Sequence, residues 1–483
     1  KTDLISEKVP SFPTATGDAL LAEALAHNAT ESYFARLNYN YKEKYLFEAN
    51  VRYDGSYVFR NGKRWGTFPS FSVGWNLYNE SFWENIEPYV NTLKVRASWG
   101  QLGNQNISPY SDLELIPISA DKLNWIFNYG STRPVGYTSG PNLVNRNLTW
   151  ETATTTNVGM DLSFLNNRLS ATVDWFERRT IDMVGPSQAM PGVLGTGVPK
   201  ENNSTLRTRG WEISLNWKHA LENGLSYNLG ISLYDYKSVV TKYFNPTGTL
   251  STWYEGAEVG DIWGYTVNDL FRSQEDLDSY LSKVDMTHIA ANWNTGDLKY
   301  EDINHDGKVN NGTNTIGNHG DLSVIGNDQP HYQYTINGGV SYKGFDFYMS
   351  MYTRQGVRAL SDAHKQSSDD PVRYRGFRVN YWTPENRSND YPAPAIKGTY
   401  TDFSNSDYFV KDVSFVRISN ISLGYTLPKD FIQKFRMENA KVYININNPF
   451  VFTPFDGQDP QVGTDKKSYP SVTSYQLGVN LNF

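Results

Sequence analysis

Cysteine is absent from all 483 residues, which excludes disulfides, thiol nucleophiles and thiolate metal sites. No run of about 18 apolar residues occurs and mean hydropathy is −0.56, so no helix of this chain can cross a membrane. A β-barrel is not excluded by this, because its strands are only half apolar. There is no basic surplus: net charge is −7, and recruitment of nucleic acid is not expected. The seven histidines show neither HExxH nor HxxxH spacing, and no GxSxG, P-loop or dinucleotide fingerprint is found. Carboxylate pairs exist, but a chain with 20% charged residues contains them by chance. No catalytic residues and no catalytic cofactor are therefore assigned. The opening stretch KTDLISEKVPSFP lacks a basic n-region and an apolar h-region, so it does not read as a signal peptide.

What the chain does have is aromatic residues, with 33 Tyr, 24 Phe and 13 Trp, set in an alternating pattern. The last stretch is the clearest. Tyr475, Leu477, Val479, Leu481 and Phe483 alternate with Ser474, Gln476, Gly478, Asn480 and Asn482. A period of two marks a strand with one apolar and one polar face. The combination Gln476, Gly478, Leu481 and terminal Phe483 resembles the assembly signal of outer-membrane β-barrels. The alternative is an ordinary last strand of a soluble β-domain.

The same period recurs upstream in about thirteen segments, beginning with Tyr33–Tyr41 and Tyr45–Tyr53. Their connections alternate in kind. One set is short: Lys42–Lys44, Asn166–Asn167, Glu222–Gly224 and Lys343–Gly344, with middling members near 78–92 and 428–441. The other set is long, spanning 101–157, 237–330 and 356–408. Sorting of loop length by parity fits a transmembrane antiparallel β-barrel with short periplasmic turns and long extracellular loops. Soluble sandwiches have no reason to sort loops this way, and loops of this size count against a compact soluble domain. Residues 1–30 read as an extracellular loop segment with one helical candidate, Gly17–His27; residues 31–483 read as barrel. An odd strand number implies further strands before this chain, so it is expected to be a carboxyl-terminal portion. Tyr, Trp, Phe, Leu and Val face lipid, while Arg36, Glu48, Arg52, Lys94, Arg96, Asp174, Glu212, Lys218 and Lys441 face the lumen.

Several segments then carry a family resemblance. Tyr53–Ser56 with Arg64–Pro69, Arg96–Gln105, Gly210–Glu212, Ile325–Asn327 with Pro330, Tyr381–Pro384, Val416–Tyr425 and Phe455–Pro460 resemble, in order, motifs of the SusC/RagA-type TonB-linked outer-membrane transporters of Bacteroidetes. The resemblance implies a 22-stranded barrel, of which this chain holds about thirteen strands. It also implies a plug and a TonB box, neither of which lies in this chain. It implies a SusD-like surface lipoprotein as partner, energy from TonB–ExbB–ExbD, and an oligosaccharide or peptide cargo. Loop aromatics such as Trp125, Trp253, Tyr254, Trp263, Trp293 and Trp382 either stack on sugar rings or anchor loops to each other.

One motif stands apart. Asp302-Ile303-Asn304-His305-Asp306-Gly307-Lys308-Val309-Asn310 sets oxygens at positions 1, 3, 5 and 9, Gly at 6 and a main-chain carbonyl at 7. This is the front half of an EF-hand-like loop, suited to a structural calcium or magnesium ion. Position 12 is Thr313 rather than Glu, so the closing ligand is absent or comes from Asp297 or Asp321. The alternative is an Asx-rich turn without metal.

The functional expectation is TonB-dependent import of oligomeric nutrients across the outer membrane, with no enzymatic activity in this chain. The competing readings are a soluble or surface-attached carbohydrate-binding protein or glycan hydrolase, and an outer-membrane barrel enzyme.

Overall fold

A computed structural model describes residues 29–105, 107, 114, 125–127, 135–137, 143–187, 198–360, 380, 382–387, 392–393, 405–457, 459–462, 469 and 471–483. The helical candidate Gly17–His27, most of the segment before residue 31 and large parts of the 101–157 and 356–408 loops lie outside these residues.

Thirteen strands form one antiparallel sheet in which each strand pairs with its neighbour in sequence. They are β1 (Thr30–Tyr41), β2 (Tyr45–Ser56), β3 (Trp65–Asn76), β4 (Val90–Asn104), β5 (Glu151–Phe164), β6 (Leu169–Pro186) and β7 (Lys200–Ala220). Then come β8 (Ser226–Lys242), β9 (Gln333–Tyr342), β10 (Phe345–Arg354), β11 (Phe415–Thr426), β12 (Asn439–Phe452) and β13 (Ser474–Asn482). This is the expected number and order, and no crossover interrupts it. An up-and-down meander follows from the sequence because each tight turn reverses the chain directly. Lys343-Gly344 (φ 48° and 87°) adopts the left-handed backbone that matches strand twist in a two-residue hairpin, and Lys42 and Glu43 (φ 51° and 55°) do the same within the three-residue turn Lys42–Lys44.

The strands are longer than their hydrophobic pattern. The sequence places the start of β5 at Val158 and of β7 at Trp211; the structure begins them at Glu151 and Lys200, and carries β8 on to Lys242. The 101–157 and 237–330 loops are correspondingly shorter than expected. The added segments have polar cross-strand partners, such as Thr154 with Arg179 and Thr208 with Arg178. Main-chain pairing continues there after apolar alternation stops, so the period signal is silent.

Packing is not centred on the sheet. The largest cluster of buried apolar residues lies in the long connections: Tyr265, Leu270, Phe271, Leu277, Met286, Ile289, Leu298, Tyr300, Val309, Trp382 and Phe409. It is framed by two small antiparallel ladders, Asp261–Tyr265 with Leu322–Asn327 and Val267–Leu270 with Leu298–Tyr300. The helix Gln274–Leu281 is capped by Ser273, whose hydroxyl accepts the Asp276 N–H. Meanwhile Leu37, Val73, Trp175, Leu229 and Leu477 on the sheet are all exposed. A contiguous apolar surface of this extent signals a lipid or partner contact.

Candidate functional site: a polar sheet face and an outer loop unit

Cross-strand register sorts the two sheet faces. Trp175 pairs with Trp211, Val173 with Ile213 and Ala171 with Leu215, so these share one face. Asp174 pairs with Glu212 and Gly159 with Arg96, so these share the other. The nine charged residues expected on the polar face all fall there by register. Arg96 spans three strands, bonding Asp161 on β5 at 3.2 Å and Asp174 on β6 at 2.6 Å. Lys441 bonds Asp346 at 2.8 Å. An amide network joins Asn420, Asn445, Asn447, Ser474 and Gln476 across β11, β12 and β13. These groups are largely paired with one another, Asp174 Oδ1 excepted, which suits a hydrated wall rather than an acid–base site.

Register also places the residues of the last strand. Gln476 and Gly478 lie on the polar face of β13, and Gly478 pairs with Tyr443. A Cβ at Gly478 would fall 2.3 Å from Tyr443 Cζ, so the ring lies where any larger residue would clash. Leu481 and Phe483 lie on the opposite, exposed face.

At the other end of the strands the outer loop unit holds the 302–310 motif. Asp302 Oδ2 accepts the Gly307 N–H at 2.9 Å and Oδ1 accepts the Asp306 N–H at 3.2 Å. Asn304 Oδ1 accepts the Asp306 N–H at 2.9 Å, and Asp306 Oδ1 accepts the Lys308 N–H at 2.8 Å. Gly307 at φ 84° allows the bend. The oxygens of 302, 304 and 306 thus gather on one tight turn, each with a lone pair to spare, and the set fits a hard cation. The Asn304 amide donates to Asp306 Oδ2 at 3.1 Å; rotating that amide would present its oxygen instead. Asn310 Oδ1 is turned onward, accepting the Gly312 N–H at 2.6 Å. Among the described residues no three His, Cys, Asp or Glu side chains converge as a metal-holding group, so amide and main-chain oxygens would have to complete any shell.

The suggested closing residues do other work. Asp321 is fully buried and accepts the N–H groups of Ile303 (2.8 Å), Asn304 (3.3 Å) and Asn310 (2.8 Å), pinning the loop from behind. Burial, with the Asp321 charge beside it, pushes the Tyr265 hydroxyl up to about 12. Asp297 closes its own turn by accepting the Asn294 N–H at 2.7 Å. Burial pushes its carboxyl up to about 6, against the opposing effect of that hydrogen bond. Thr313 bonds Thr315 at 2.9 Å. Asp321 as a main-chain clamp was not legible from spacing, because it lies eleven residues past Asn310 and meets the motif only in the fold.

Most loop aromatics serve as anchors. Trp293 packs edge-on against Phe271 and Tyr300, and Trp382 is 4% exposed within the same core. Trp253 packs on Tyr243, and Trp263 Nε1 donates to the Tyr254 hydroxyl at 3.1 Å. Trp125 contributes to a short strand, and its side chain lies outside the described residues. Trp263 also borders a cavity of about 530 Å³ with Ser251, His288, Asn311 and Asn314.

Known proteins share this architecture. A family model described as TonB dependent receptor-like, beta-barrel matches residues 8–449. The chain is 29% identical to the TonB-dependent receptor SusC of Bacteroides thetaiotaomicron, covering 98% of this chain and 46% of that protein. It is 25% identical to TonB-dependent receptor P3 of Formosa agariphila, covering 98% and 48%. The chain thus spans about half the length of the curated relatives it matches. A solved structure of the RagAB peptide transporter superposes over 99% of this chain and 50% of that one, with a TM-score of 0.73 at 21% identity, a likeness of fold. The thirteen-stranded meander with its sorted faces is therefore part of an outer-membrane barrel wall, and the chain belongs to the TonB-dependent receptor-like β-barrel family.

Proposed function

We propose that the full-length protein imports oligomeric nutrients, oligosaccharides foremost and peptides as the second class, together with a SusD-like surface lipoprotein and driven by TonB–ExbB–ExbD. The carrying observation is the sheet whose polar face is a charge-paired wall and whose apolar face suits lipid. Such a wall lines a wide aqueous lumen that a plug seals at rest and that energy transmitted to the plug opens. Short turns face the periplasm and the outer loop unit faces outward. The oligosaccharide reading draws on the Trp263 cavity, where an aromatic edge meets Ser251, Asn311 and Asn314, chemistry matched to a sugar's apolar face and hydroxyls. The peptide reading draws on the RagAB peptide transporter, whose fold this chain shares. Neither reading requires a catalytic group here.

Within the same unit, Asp302, Asn304 and Asp306 would offer side-chain oxygens, Lys308 its carbonyl and Asn310 a peripheral amide to one calcium or magnesium ion. Such an ion neutralises Asp302 and Asp306 and holds the turn; it has no part in chemistry.

The test is uptake of labelled oligosaccharides and oligopeptides by cells carrying the full-length protein, with and without TonB and the cognate lipoprotein. Saturable uptake of one class that is lost without TonB supports the import reading and names the cargo. TonB-independent uptake, or none of either class, defeats it.

A further inference from the structure

On β6, β7 and β8 the apolar face ends abruptly. About ten residues of a tilted strand cross the hydrocarbon layer. Near the short turns, Trp217, His219 and Tyr227 form an aromatic cluster on this face. Ten residues on from His219 along β7 is Arg209, and ten on from Tyr227 along β8 is Lys237; these two are cross-strand partners. Between the two levels, β6 and β7 carry only apolar residues outward: Leu169 with Trp217, Ala171 with Leu215, Val173 with Ile213 and Trp175 with Trp211. The next two rungs are Glu177 with Arg209 and Arg179 with Arg207, in unbroken register and hence on the same outward face. The cations begin where the apolar belt stops.

Their hydrogen bonding leaves donors free. Glu177 lies between two guanidinium groups, taking Arg179 Nε on Oε1 at 2.6 Å and Arg209 Nε on Oε2. Both arginines are bound only through Nε among the described residues, so their Nη groups remain open, and their side chains are 56% and 52% exposed. Arg207 has no ion pair among the described residues. The other charges nearby are already matched: Lys237 bonds Glu258, and Asp235 bonds His331 Nδ1 at 2.8 Å. Three arginines with one carboxylate leave an excess of positive charge on β6 and β7. Planar guanidinium forks held by a carboxylate, with both Nη groups turned free, are suited to bidentate recognition of phosphate.

We propose that this patch, Arg179, Arg207 and Arg209 set by Glu177, binds the phosphate of an anionic glycolipid in the outer leaflet. The patch sits at headgroup level beside aromatic side chains, and a basic cluster at that level attracts anionic headgroups. The inference rests on the outward orientation of the long loops. Its role is to fix a lipid against the wall beneath the outer loop unit.

The experiment uses the full-length protein in detergent, with phosphorylated lipid A, its dephosphorylated form and inorganic phosphate as separate probes. Wild type should bind the phosphorylated lipid about tenfold or more tightly than the dephosphorylated form, and the triple variant Arg179→Gln/Arg207→Gln/Arg209→Gln should lose that preference. The lysine series R179K/R207K/R209K should keep part of it, and heat-modifiable gel mobility should be unchanged throughout. Equal binding of both lipids, full retention by the glutamine variant, or inorganic phosphate binding as tightly as the lipid would overturn the proposal. A cysteine at Thr247, labelled on intact cells with an impermeant reagent, separates the two readings. No labelling removes the orientation on which the patch depends; labelling with lipid preference unaffected by the glutamine variant removes the patch alone.

Discussion

Arg417 Nη2 donates to Asp459 Oδ1 at 2.7 Å, and each side chain is only 4% exposed. Asp459 also accepts the N–H groups of Gln461 at 2.9 Å and Ser471 at 2.7 Å. One carboxylate therefore ties two points of the β12–β13 connection, Gln461 and Ser471, to β11. Thr453, whose hydroxyl donates to the Ser414 carbonyl at 2.7 Å, and Phe455, packed with Val357 and Val413, hold the same connection beside it.

Removing one partner of such a buried pair costs about 3–5 kcal/mol, whereas replacing both by apolar groups can be near neutral. Arg417→Met should therefore lower the thermal midpoint of the full-length protein and expose residues 453–473 to protease. Arg417→Met with Asp459→Leu should recover part of the loss. Equal damage in the single and double variants would show that loss of the Gln461 and Ser471 bonds outweighs relief of the unpaired Asp459 charge.

Asp297 carries a pH dependence. Its carboxyl is raised from 3.8 to about 6 in the folded unit, so between these values the folded state binds more protons than the unfolded one. Stability is then full below about pH 4 and declines as pH rises through about 6, by on the order of 3 kcal/mol if no other group titrates. Asp297→Asn, which keeps an oxygen for the Asn294 N–H, should flatten the pH dependence of protease resistance in residues 261–330. An unchanged slope would remove Asp297 as its source.

The 302–310 turn should respond to cations. Asp306→Ala, or a chelator applied to wild type, should increase cleavage within residues 290–320 without reducing barrel insertion. Restoring calcium or magnesium should protect wild type and leave the variant sensitive. Ligand distances of about 2.3–2.6 Å would identify calcium and about 2.0–2.1 Å magnesium. Protection indifferent to chelator would leave the Asx hydrogen bonds as the whole explanation of the turn.

Deleting Phe483, or changing it to Asp, should reduce outer-membrane levels far more than the same change at Ile316 in the loop unit. The expectation follows from the terminal alternation of β13 and the lipid-facing exposure of Phe483. Normal levels of the deletion would show that Gln476, Gly478 and Leu481 suffice.

Orientation is open to direct labelling because the chain has no cysteine. Single cysteines in Lys42–Lys44, Asn166–Asn167, Glu222–Gly224 or Lys343–Gly344 should resist an impermeant reagent on intact cells. Cysteines in residues 245–256 should react. The reverse pattern would invert the barrel.

The wall of this protein is written locally. Alternation in Leu169–Trp175 and Trp211–Trp217, and turn residues such as Lys343-Gly344, determine strand, face and hairpin without reference to distant residues, since both periods and turns are short-range. The sequence also marked Asp302, Asn304 and Asp306, because an oxygen-rich turn folds around its own side chains. Three features required the tertiary structure. Strand extension through Arg178–Pro186 and Lys200–Thr208 depends on partners rather than period. The loop core joins Phe271, Tyr300, Trp382 and Phe409, residues too far apart for any spacing rule. Asp321 and Asp297 have the same side chain as Asp302, yet burial made one a main-chain clamp and raised the carboxyl of the other. Desolvation is a property of what surrounds a group, and in this chain the surroundings come from residues tens of positions away.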